Sequence, residues 1–325
     1  MESITVRLHR TGGPEQLVAE PLDLPPPAPG EVRVRHATIG VNFVDVYHRT
    51  GVYPMPGLPW APGVEGAGVI EACGAGVTTL APGQRVAYAI PVPGSYASAR
   101  NVPADRVLAL PAALDDAGAA ALLLKGVTTH MLLARVLRVQ AGQTLLVHAA
   151  AGGLGLMLTQ WASALGVRVI GTVGGAEKAA LARSYGLAHA IDYRREDFVE
   201  AVLELTGGAG VDAAIDGIGG DTLARTVHAV RPFGHLASIG QAGGTAPQGD
   251  LSVLGAARSL SVARPSVFRY MQNVDDYRRS AEAVLAQVER GLRPHVGGML
   301  PLADAATAHR QLEQGRTTGS LVLLA

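Results

Sequence analysis

The sequence contains one cysteine, Cys73, in 325 residues. A single thiol cannot form an internal disulfide, and it cannot supply the several thiolates of a cysteine-rich zinc site. Lysine is almost as scarce, because only Lys125 and Lys178 occur among the 27 lysine and arginine residues. The composition therefore excludes disulfide-stabilised folds and multi-thiolate zinc modules, and it singles out two lysine positions.

The chain also lacks an excess of charge. Its 27 basic residues balance 27 acidic ones, and no run of Lys or Arg occurs. Binding to nucleic acid or to an acidic membrane usually needs a basic surface, so the average charge supports neither function.

Segments that would direct the chain to or through a membrane are missing as well. Residues 1–5 have no basic or apolar region of the signal-peptide kind. The longest apolar stretch, residues 117–124, is shorter than the ~20 residues that a transmembrane helix needs. We therefore expect a cytoplasmic protein, and the length predicts about two domains at ~100–200 residues each.

The first part of the chain is predicted to be rich in β-strands. Residues 4–8 and 31–35 alternate apolar and polar side chains, which is typical of half-buried strands. Further short strands are predicted at 66–72, 84–89 and 106–110, with Pro-Gly turns between them. This pattern indicates a compact, barrel-like β domain.

The middle of the chain changes character. Helical stretches at 117–124 and 128–139 come first, and strands then alternate with helices. The predicted strands are 145–148, 167–173, 190–193, 211–216 and 235–240. The predicted helices are 154–165, 177–185, a segment from Phe198 to the Gly207-Gly208 pair, and 222–230. Such alternation indicates a parallel sheet covered on both faces.

The C-terminal part does not continue this alternation. Helices are predicted at 275–290 and 303–314, and residues 321–324 form a last apolar strand. We assign this segment to the first domain, which makes that domain discontinuous.

A phosphate-binding turn is predicted between the strand 145–148 and the helix 154–165. Small residues at Ala150, Gly152 and Gly155 have the spacing of the dinucleotide fingerprint, with alanine in place of its first glycine. The turn must be tight, the backbone must approach a pyrophosphate, and the helix N-terminus supplies free N–H groups. A glycine-rich turn without a ligand is the alternative, and the surrounding strand–helix units favour the cofactor.

The end of the next strand indicates which nicotinamide cofactor binds. An NAD site usually has Asp or Glu there to hold the ribose hydroxyls. This strand ends instead at Gly174-Gly175, and Lys178 follows in the first turn of the next helix. Tyr193 and Arg194 come after the third strand, next to the same region. The missing carboxylate and the nearby cation favour NADPH.

Ligands for a catalytic zinc are missing from the sequence. Asn42 stands where a zinc-dependent alcohol dehydrogenase has a thiolate, and Val64 stands where it has a histidine. The ten histidines do not pair at ligand spacing, so His48, His130 and His148 are interpreted as packing or hydrogen-bonding residues. We expect no metal.

These features together resemble the quinone oxidoreductase branch of the medium-chain dehydrogenase/reductase family, the zeta-crystallin-like enzymes, and bacterial NADPH:quinone reductases above all. The resemblance covers essentially the whole chain. The segments that carry it are 42–54, 124–128, 148–155, 171–178, 191–193, Asp216 with Gly219, 264–266 and 316–319.

The resemblance implies an α/β fold with two domains. A discontinuous GroES-like catalytic domain would comprise residues 1–125 and 265–325, and a Rossmann NADPH-binding domain with a doubly wound parallel sheet would comprise 126–264. The family's cofactor lies in the cleft between these domains. The resemblance also implies a homodimer joined through sheet edges near 235–240 and 259–263.

The resemblance also assigns roles to single residues. It places Asn42, Asp45 and Tyr53 near the nicotinamide and the substrate. Asp45 has an alternative role of equal weight, as a structural partner of a loop N–H. The expected cofactor-binding residues are Thr128, Gly152, Gly153, Leu154, Gly155, Gly174, Gly175, Lys178, Tyr193, Ser238, Ile239, Gly240, Gln241, Arg264 and Arg316. The family often has lysine after the glycine at position 319, and this chain has Ser320.

The predicted reaction is hydride transfer from NADPH to a quinone without zinc, with the cofactor carrying the chemistry. Tyr53 and Asn42 would donate to the developing oxyanion. Two alternatives stay open. The acceptor could be an alkenal, an enone or an enoyl thioester, or the protein could bind NADPH or AU-rich RNA without catalysis, although its neutral charge disfavours RNA.

Overall fold

The computed structural model describes residues 3–245, 254, 255 and 258–325. The chain divides into two compact units by its internal contacts. Unit 1 comprises Met1–Val127, Phe268–Glu289 and Arg293–Ala325, and unit 2 comprises Thr128–Val267 and Arg290–Leu292. The main divisions lie within three residues of the predicted boundaries, and the short segment Arg290–Leu292 was not predicted.

Strands of both units are numbered in chain order. They are β1 Ser3–Leu8, β2 Leu17–Leu22, β3 Glu31–Val41, β4 Glu65–Cys73, β5 Arg85–Ala89, β6 Ala99–Pro103, β7 Val107–Ala109, β8 Thr144–Val147, β9 Arg168–Val173, β10 His189–Asp192, β11 Val211–Asp216, β12 Val230–Ser238, β13 Ser261–Ala263, β14 Val296–Pro301 and β15 Ser320–Leu324.

The α-helices are numbered in the same way. They are α1 Phe43–Thr50, α2 Asp116–His130, α3 Gly153–Ala164, α4 Ala176–Ser184, α5 Phe198–Leu205, α6 Gly220–Ala229, α7 Val267–Met271, α8 Val274–Glu289 and α9 Ala305–Glu313. A π-helical segment, Met131–Val136, continues α2.

Unit 1 is built around the long strand β3. A seven-stranded sheet has the order β14-β15-β3-β4-β5-β7, and β6 also pairs with β3. Val32 and Val34 are fully buried on β3, as the predicted alternation requires. The C-terminal β15 runs antiparallel to β3, with Leu321 opposite Val41, so the prediction of a discontinuous domain is confirmed.

Unit 2 is a doubly wound parallel sheet with the order β10-β9-β8-β11-β12-β13. The strand order reverses between β8 and β11, where ligands bind in open sheets of this kind. The carboxyl ends of these strands meet at one edge because all the pairs are parallel.

One predicted sheet edge is wrong. Residues 235–240 were expected at an edge, but β12 has β11 on one side and β13 on the other. Among the described residues, the edge strand of this part of the sheet is β13, which lies within 259–263, the other segment that the resemblance placed at a sheet edge.

The two helices predicted at 117–124 and 128–139 are one continuous helix, α2. The two predicted helices left residues 125–127 between them, but Gly126 lies inside α2, where a Cβ would lie 2.6 Å from the Val284 side chain. Glycine therefore serves close packing inside the helix. With its π-helical extension, Asp116–Val136 is long and apolar enough to cross a membrane, yet 83 % of its apolar 18-residue stretch is buried within the protein.

The sequence patterns missed α1, α7, β2, β6, β13 and β14. Helix α1 follows β3 directly, and its segment was interpreted for its missing zinc ligand and for the resemblance but not for its secondary structure. Strand β14 contains Gly297 and Gly298, which weaken any strand pattern. A Cβ on Gly298 would lie 2.9 Å from the Leu321 side chain of β15, so this glycine is there for close strand contact.

Candidate functional site

The predicted phosphate-binding turn joins β8 to α3. Gly152 is the N-terminal cap of α3, with extended backbone (φ −78°, ψ 166°) and no side chain to satisfy the first N–H groups of the helix. Gly152 N–H donates to Ala149 O at 2.9 Å, which closes the turn. The helix thus presents backbone donors and the positive end of its dipole, as a pyrophosphate requires.

Gly152 and Gly155 have different local surroundings. A Cβ on Gly155 would lie 2.7 Å from Ala150 Cα and even closer to the carbonyl oxygen of Ala149. A Cβ on Gly152 would meet only Ala149 O, at 3.3 Å. Gly155 is therefore required for helix–strand packing, whereas Gly152 leaves open space beside the backbone.

His148, which precedes this turn, forms hydrogen bonds through both of its ring nitrogens. Its Nδ1 lies 3.0 Å from Thr172 Oγ1 and its Nε2 lies 2.8 Å from Thr226 Oγ1. Burial lowers the pKa of His148 to about 4, so the ring is neutral at physiological pH. This agrees with its interpretation as a hydrogen-bonding residue.

Basic and aromatic side chains surround Gly174 at the end of β9. A Cβ on Gly174 would lie 2.9 Å from Tyr193 Oη and 3.3 Å from Arg194 Nε. Partial burial lowers the pKa of Lys178, and the charge of Arg194 lowers it further. Gly175 has a φ of 116°, which favours glycine. Two cations near an open glycine backbone fit a phosphate well.

The ends of β11 and β12 form the rest of this edge. Asp216 accepts the backbone N–H groups of Ile218 at 2.6 Å and Gly219 at 2.8 Å. Ser238 is buried, and its Oγ has no hydrogen-bond partner in the described parts of the chain. A further ligand could satisfy this hydroxyl. Gln241 accepts a hydrogen bond from Arg264 at 3.0 Å.

The remaining residues of this strand end are close to the backbone of β11. Ile239 N–H donates to Asp216 O at 2.8 Å. A Cβ on Gly240 would lie 3.0 Å from Gly217 C, so the chain turns tightly here. The structure thus brings Gly152, Gly153, Leu154, Gly155, Gly174, Gly175, Lys178, Tyr193, Ser238, Ile239, Gly240 and Gln241 to the carboxyl edge of one sheet.

Unit 1 contains a buried ring of hydrogen bonds that joins Asn42, Glu65 and Lys125. Asn42 Nδ2 donates to Glu65 Oε1 at 2.8 Å. Lys125 Nζ donates to Asn42 Oδ1 at 2.8 Å and to Glu65 Oε1 at 3.2 Å. The other Glu65 oxygen accepts the Leu124 N–H at 2.8 Å. An ion pair with all its acceptors used in this way can exist in a protein interior.

Asp45 is adjacent to this ring but fully buried. Its Oδ2 accepts the Asn42 N–H at 2.8 Å and the Tyr96 hydroxyl at 3.2 Å. Burial raises the pKa of Asp45 to about 7, and the charge of Glu65 acts in the same direction. These contacts agree with the alternative role of Asp45, that of a structural partner of a loop N–H.

A chain of hydrogen bonds continues from Asp45 through Tyr96. His309 Nε2 lies 3.0 Å from Tyr96 Oη, and Arg49 Nε donates to His309 Nδ1 at 3.2 Å. Burial lowers the pKa of His309 to about 3. A neutral His309 must then carry its proton on Nε2, because Nδ1 accepts from Arg49. Arg49 also pairs with Glu313 at 2.6 Å.

Tyr53 follows α1 and is partly exposed. Its ring packs against Tyr47 at 5.1 Å and against His48 at 6.2 Å between ring centroids. Its hydroxyl donates to none of the residues that the structure describes. Tyr53 therefore retains a hydrogen-bonding group, which its predicted role requires.

Two predicted cofactor residues lie elsewhere in the chain. Thr128 is buried near the end of α2. Arg316 is exposed between α9 and β15, with its backbone N–H bonded to Gln311 O at 3.2 Å. The roles of Thr128 and Arg316 at the cofactor stay predictions.

Five residues of these hydrogen-bond networks have no predicted role from the sequence: Glu65, Lys125, Tyr96, His309 and Arg49. Lys125 offered a signal, since it is a charge inside an apolar helical run and one of two lysines. Glu65 was adjacent to Val64 but was not interpreted. Among residues 3–245, 254, 255 and 258–325, no three His, Cys, Asp or Glu side chains cluster as a metal site requires.

Known proteins resemble the chain along its whole length. Residues 28–112 match the profile "Alcohol dehydrogenase GroES-like domain", and residues 153–285 match "Zinc-binding dehydrogenase". A quinone oxidoreductase of Pseudomonas aeruginosa is 43 % identical over 96 % of this chain and 97 % of its own. The chain belongs to the quinone oxidoreductase branch of the medium-chain dehydrogenase/reductase family.

Two further members of the family are informative. A 2-haloacrylate reductase of a Burkholderia species is 41 % identical over 98 % of this chain and 97 % of its own. The crystal structure of Escherichia coli quinone oxidoreductase complexed with NADPH covers 99 % of this chain and 100 % of its own, with 38 % identity and a TM-score of 0.95. The predicted GroES-like and Rossmann fold is confirmed.

Proposed function

We propose that this protein is an NADPH-dependent oxidoreductase that reduces quinones by hydride transfer without zinc. The glycine turn at the carboxyl edge of the unit 2 sheet carries the proposal. It combines a helix N-terminus, open backbone at Gly152 and a basic corner around Gly174. A dinucleotide with a 2′-phosphate fits each of these features.

The residues of unit 2 hold the cofactor in this proposal. The N–H groups at the start of α3 bind the pyrophosphate, and Lys178 and Tyr193 bind the 2′-phosphate. Ser238 Oγ, which is buried and unpartnered in the described chain, donates to the nicotinamide end. When bound, NADPH supplies the hydride.

The residues of unit 1 act on the acceptor. Asn42 and Tyr53 donate to the carbonyl oxygen as negative charge develops on it. A quinone needs little help from a strong acid, because its product anion is already delocalised. Asp45 supports Asn42 through the backbone rather than by contact with the acceptor.

A second acceptor class has specific support. The family includes a 2-haloacrylate reductase that is 41 % identical to this chain, and conjugated acids and enones accept hydride at a carbon rather than through a quinone ring. The same donors would stabilise the enolate oxygen. The relative rates on the two classes therefore define the substrate.

A steady-state test separates these functions. NADPH oxidation is followed at 340 nm with 1,4-benzoquinone, an enone, an alkenal and an enoyl thioester. We expect the highest kcat/KM with the quinone. Higher kcat/KM with an enone or alkenal would support the second acceptor class, and no turnover of any acceptor would support a binding protein.

Three further properties belong to the proposal. We expect a cytoplasmic homodimer joined at the β13 edge, because an unpaired strand edge tends to associate. A stable monomer in light scattering at micromolar concentration would contradict the homodimer.

We also expect no stoichiometric zinc, because Asn42 and Val64 stand where a zinc-dependent enzyme has its zinc ligands. One zinc per chain in elemental analysis would overturn that expectation.

A further inference from the structure

Two hydrogen-bond donors are left over when the ring of Asn42, Glu65 and Lys125 is complete. The Lys125 ammonium has three N–H groups, and two of them go to Asn42 Oδ1 and Glu65 Oε1. The Asn42 amide has two N–H groups, and one goes to Glu65 Oε1. Neither remaining N–H has a partner within the part of the chain that the structure describes.

Asn42 and Lys125 are the members of the ring that keep some exposed surface. Glu65 is 0 % exposed, whereas Asn42 and Lys125 each keep 8 % of their surface. Any surface of the ring that a ligand contacts therefore belongs to Asn42 and Lys125 and not to Glu65. The Glu65 carboxylate is fully buried, and its hydrogen bonds hold the two donors in place.

The charges also fix the orientation of the Asn42 amide. Its oxygen faces the ammonium of Lys125, and its nitrogen faces the carboxylate of Glu65. The flipped amide would place an NH₂ against an ammonium and an oxygen against a carboxylate. Because both contacts would become repulsive, the amide always presents its second N–H on the same side.

We propose that Lys125 is a further catalytic residue, which donates with Asn42 to the acceptor oxygen. The inference rests on the proposed function. In the reaction the C4–H bond of the reduced nicotinamide breaks, and the hydride forms a new bond at the acceptor. The displaced π electrons move to the carbonyl oxygen, which then takes a proton from water. NADPH is oxidised and the acceptor is reduced.

The value of an ammonium donor depends on where the charge resides. A hydroquinone anion spreads its charge over a ring, whereas the enolate formed from an enone concentrates it on one oxygen. A charged donor contributes more to the localised anion. Lys125 should therefore matter more for enones than for quinones, and a merely structural lysine would affect both equally.

The test compares Lys125→Met with Lys125→Arg on both acceptors at saturating NADPH. Loss of one oxyanion donor typically lowers kcat by about 10²–10³. We expect about that loss on 2-cyclohexenone and a loss of roughly tenfold or less on 1,4-benzoquinone for Lys125→Met. Lys125→Arg should recover a large part of the enone activity. The Kd for NADPH, measured by fluorescence, should stay within about twofold of wild type.

A double variant protects the test against misfolding. Lys125→Met alone leaves the Glu65 carboxylate buried without a cation, which can prevent folding. Glu65→Gln with Lys125→Met removes both charges and keeps an acceptor for the Leu124 N–H. It should show the same larger loss on the enone.

Equal losses on both acceptors, or no loss, would overturn the role of Lys125 and leave the proposed function intact. A folded wild type that oxidises NADPH with neither acceptor would overturn the proposed function and this inference together.

Discussion

The two units place hydrogen-bond donors in different ways, unit 2 on the backbone and unit 1 on buried charged side chains. The glycine turn of unit 2 uses backbone N–H groups and almost no side chain, and its buried titratable group, His148, is neutral. The ring of unit 1 uses an ammonium and a carboxylate that are both nearly inaccessible. Backbone donors do not depend on pH or on a partner, whereas buried side-chain charges depend on both.

The largest difference between the units should appear in acid. Burial lowers the pKa of His36, His48 and His148 to about 4 and that of His309 to about 3. A histidine whose pKa is lowered by folding stabilises the fold above its unfolded pKa, and that stability is lost as the pH falls. As the pH falls from 6.5 to 4, each of these histidines lowers the free energy of unfolding by about 3 kcal/mol.

Asp45 changes the pH dependence of stability in the opposite direction. Its pKa is raised to about 7, so its contribution is present at low pH and is lost as the pH rises. Asp45 thus offsets about one of the three histidines of unit 1. In unit 2, burial raises the pKa of Asp216, which opposes the single buried histidine, His148, in the same way. We expect unit 1 to unfold at a higher pH than unit 2.

Trp60 lies in unit 1 and Trp161 in unit 2, so each unit has its own fluorescent reporter. Trp161→Phe reports on unit 1, and Trp60→Phe reports on unit 2. Acid titrations of the two variants should show the unit 1 transition first. Coincident transitions would contradict the unequal distribution of buried histidines.

Removal of the carboxylate from the ring should have the next largest effect. Glu65→Ala leaves Lys125 and the Leu124 N–H without their acceptor, and loss of one partner of a buried ion pair costs about 3–5 kcal/mol. Urea unfolding should show this loss in Glu65→Ala. Glu65→Gln, which keeps an acceptor oxygen, should lose less. A cost below about 1 kcal/mol for Glu65→Ala would mean that water replaces the carboxylate.

Lys178→Ala should weaken the binding of NADPH by about 10- to 150-fold, because a charge-assisted hydrogen bond contributes ~1.5–3 kcal/mol. The KM for NADH should change little, since NADH has no 2′-phosphate. The effect should shrink at high salt. Arg183→Ala, at the other end of α4, is the matched control.

Three outcomes of the cofactor kinetics would revise this assignment. A wild type that prefers NADH would contradict the argument from the missing carboxylate. Equal losses with both cofactors would make Lys178 a structural residue. An unchanged preference in Lys178→Ala would transfer the recognition to Tyr193 or to a cation such as Arg194 or Arg316.

The smallest effects should separate the two glycines of the turn. Gly155→Ala forces a Cβ against Ala150 Cα, and overpacking costs about 1–3 kcal/mol. Gly152→Ala should cost less stability, because its Cβ meets only Ala149 O at 3.3 Å. It should instead raise the Kd for NADPH. Thermal unfolding and NADPH titration of both variants measure the contrast, and equal stabilities would contradict it.

Much of unit 2 could be predicted because its signals are local. The strand β11 matches its predicted bounds, and α3 and α4 begin within one residue of theirs. Glycine spacing and strand–helix alternation act over a few residues, and a sequence shows them directly. The basic corner around Gly174 needed only the end of one strand and the start of the next helix.

The ring of unit 1 could not be predicted in the same way. Asn42, Glu65 and Lys125 come from the end of β3, the start of β4 and the middle of α2, and no spacing links them. Asn42 was predicted from the resemblance, but its partners depend on how the sheet and the helix pack. The buried Tyr96, His309 and Arg49 are similarly distant in sequence.

The pairing of β15 with β3 has a consequence for synthesis on the ribosome. All the strands of unit 2 have been translated before Ser320–Leu324. Residues Thr38–Val41 of β3, in contrast, pair with β15 and lack that partner until Ser320–Leu324 has been made. Unit 2 can therefore fold while the nascent chain of unit 1 is still incomplete. In nascent chains stalled before Ser320, proteolysis should leave unit 2 protected and unit 1 cleavable, and equal protection would contradict this order.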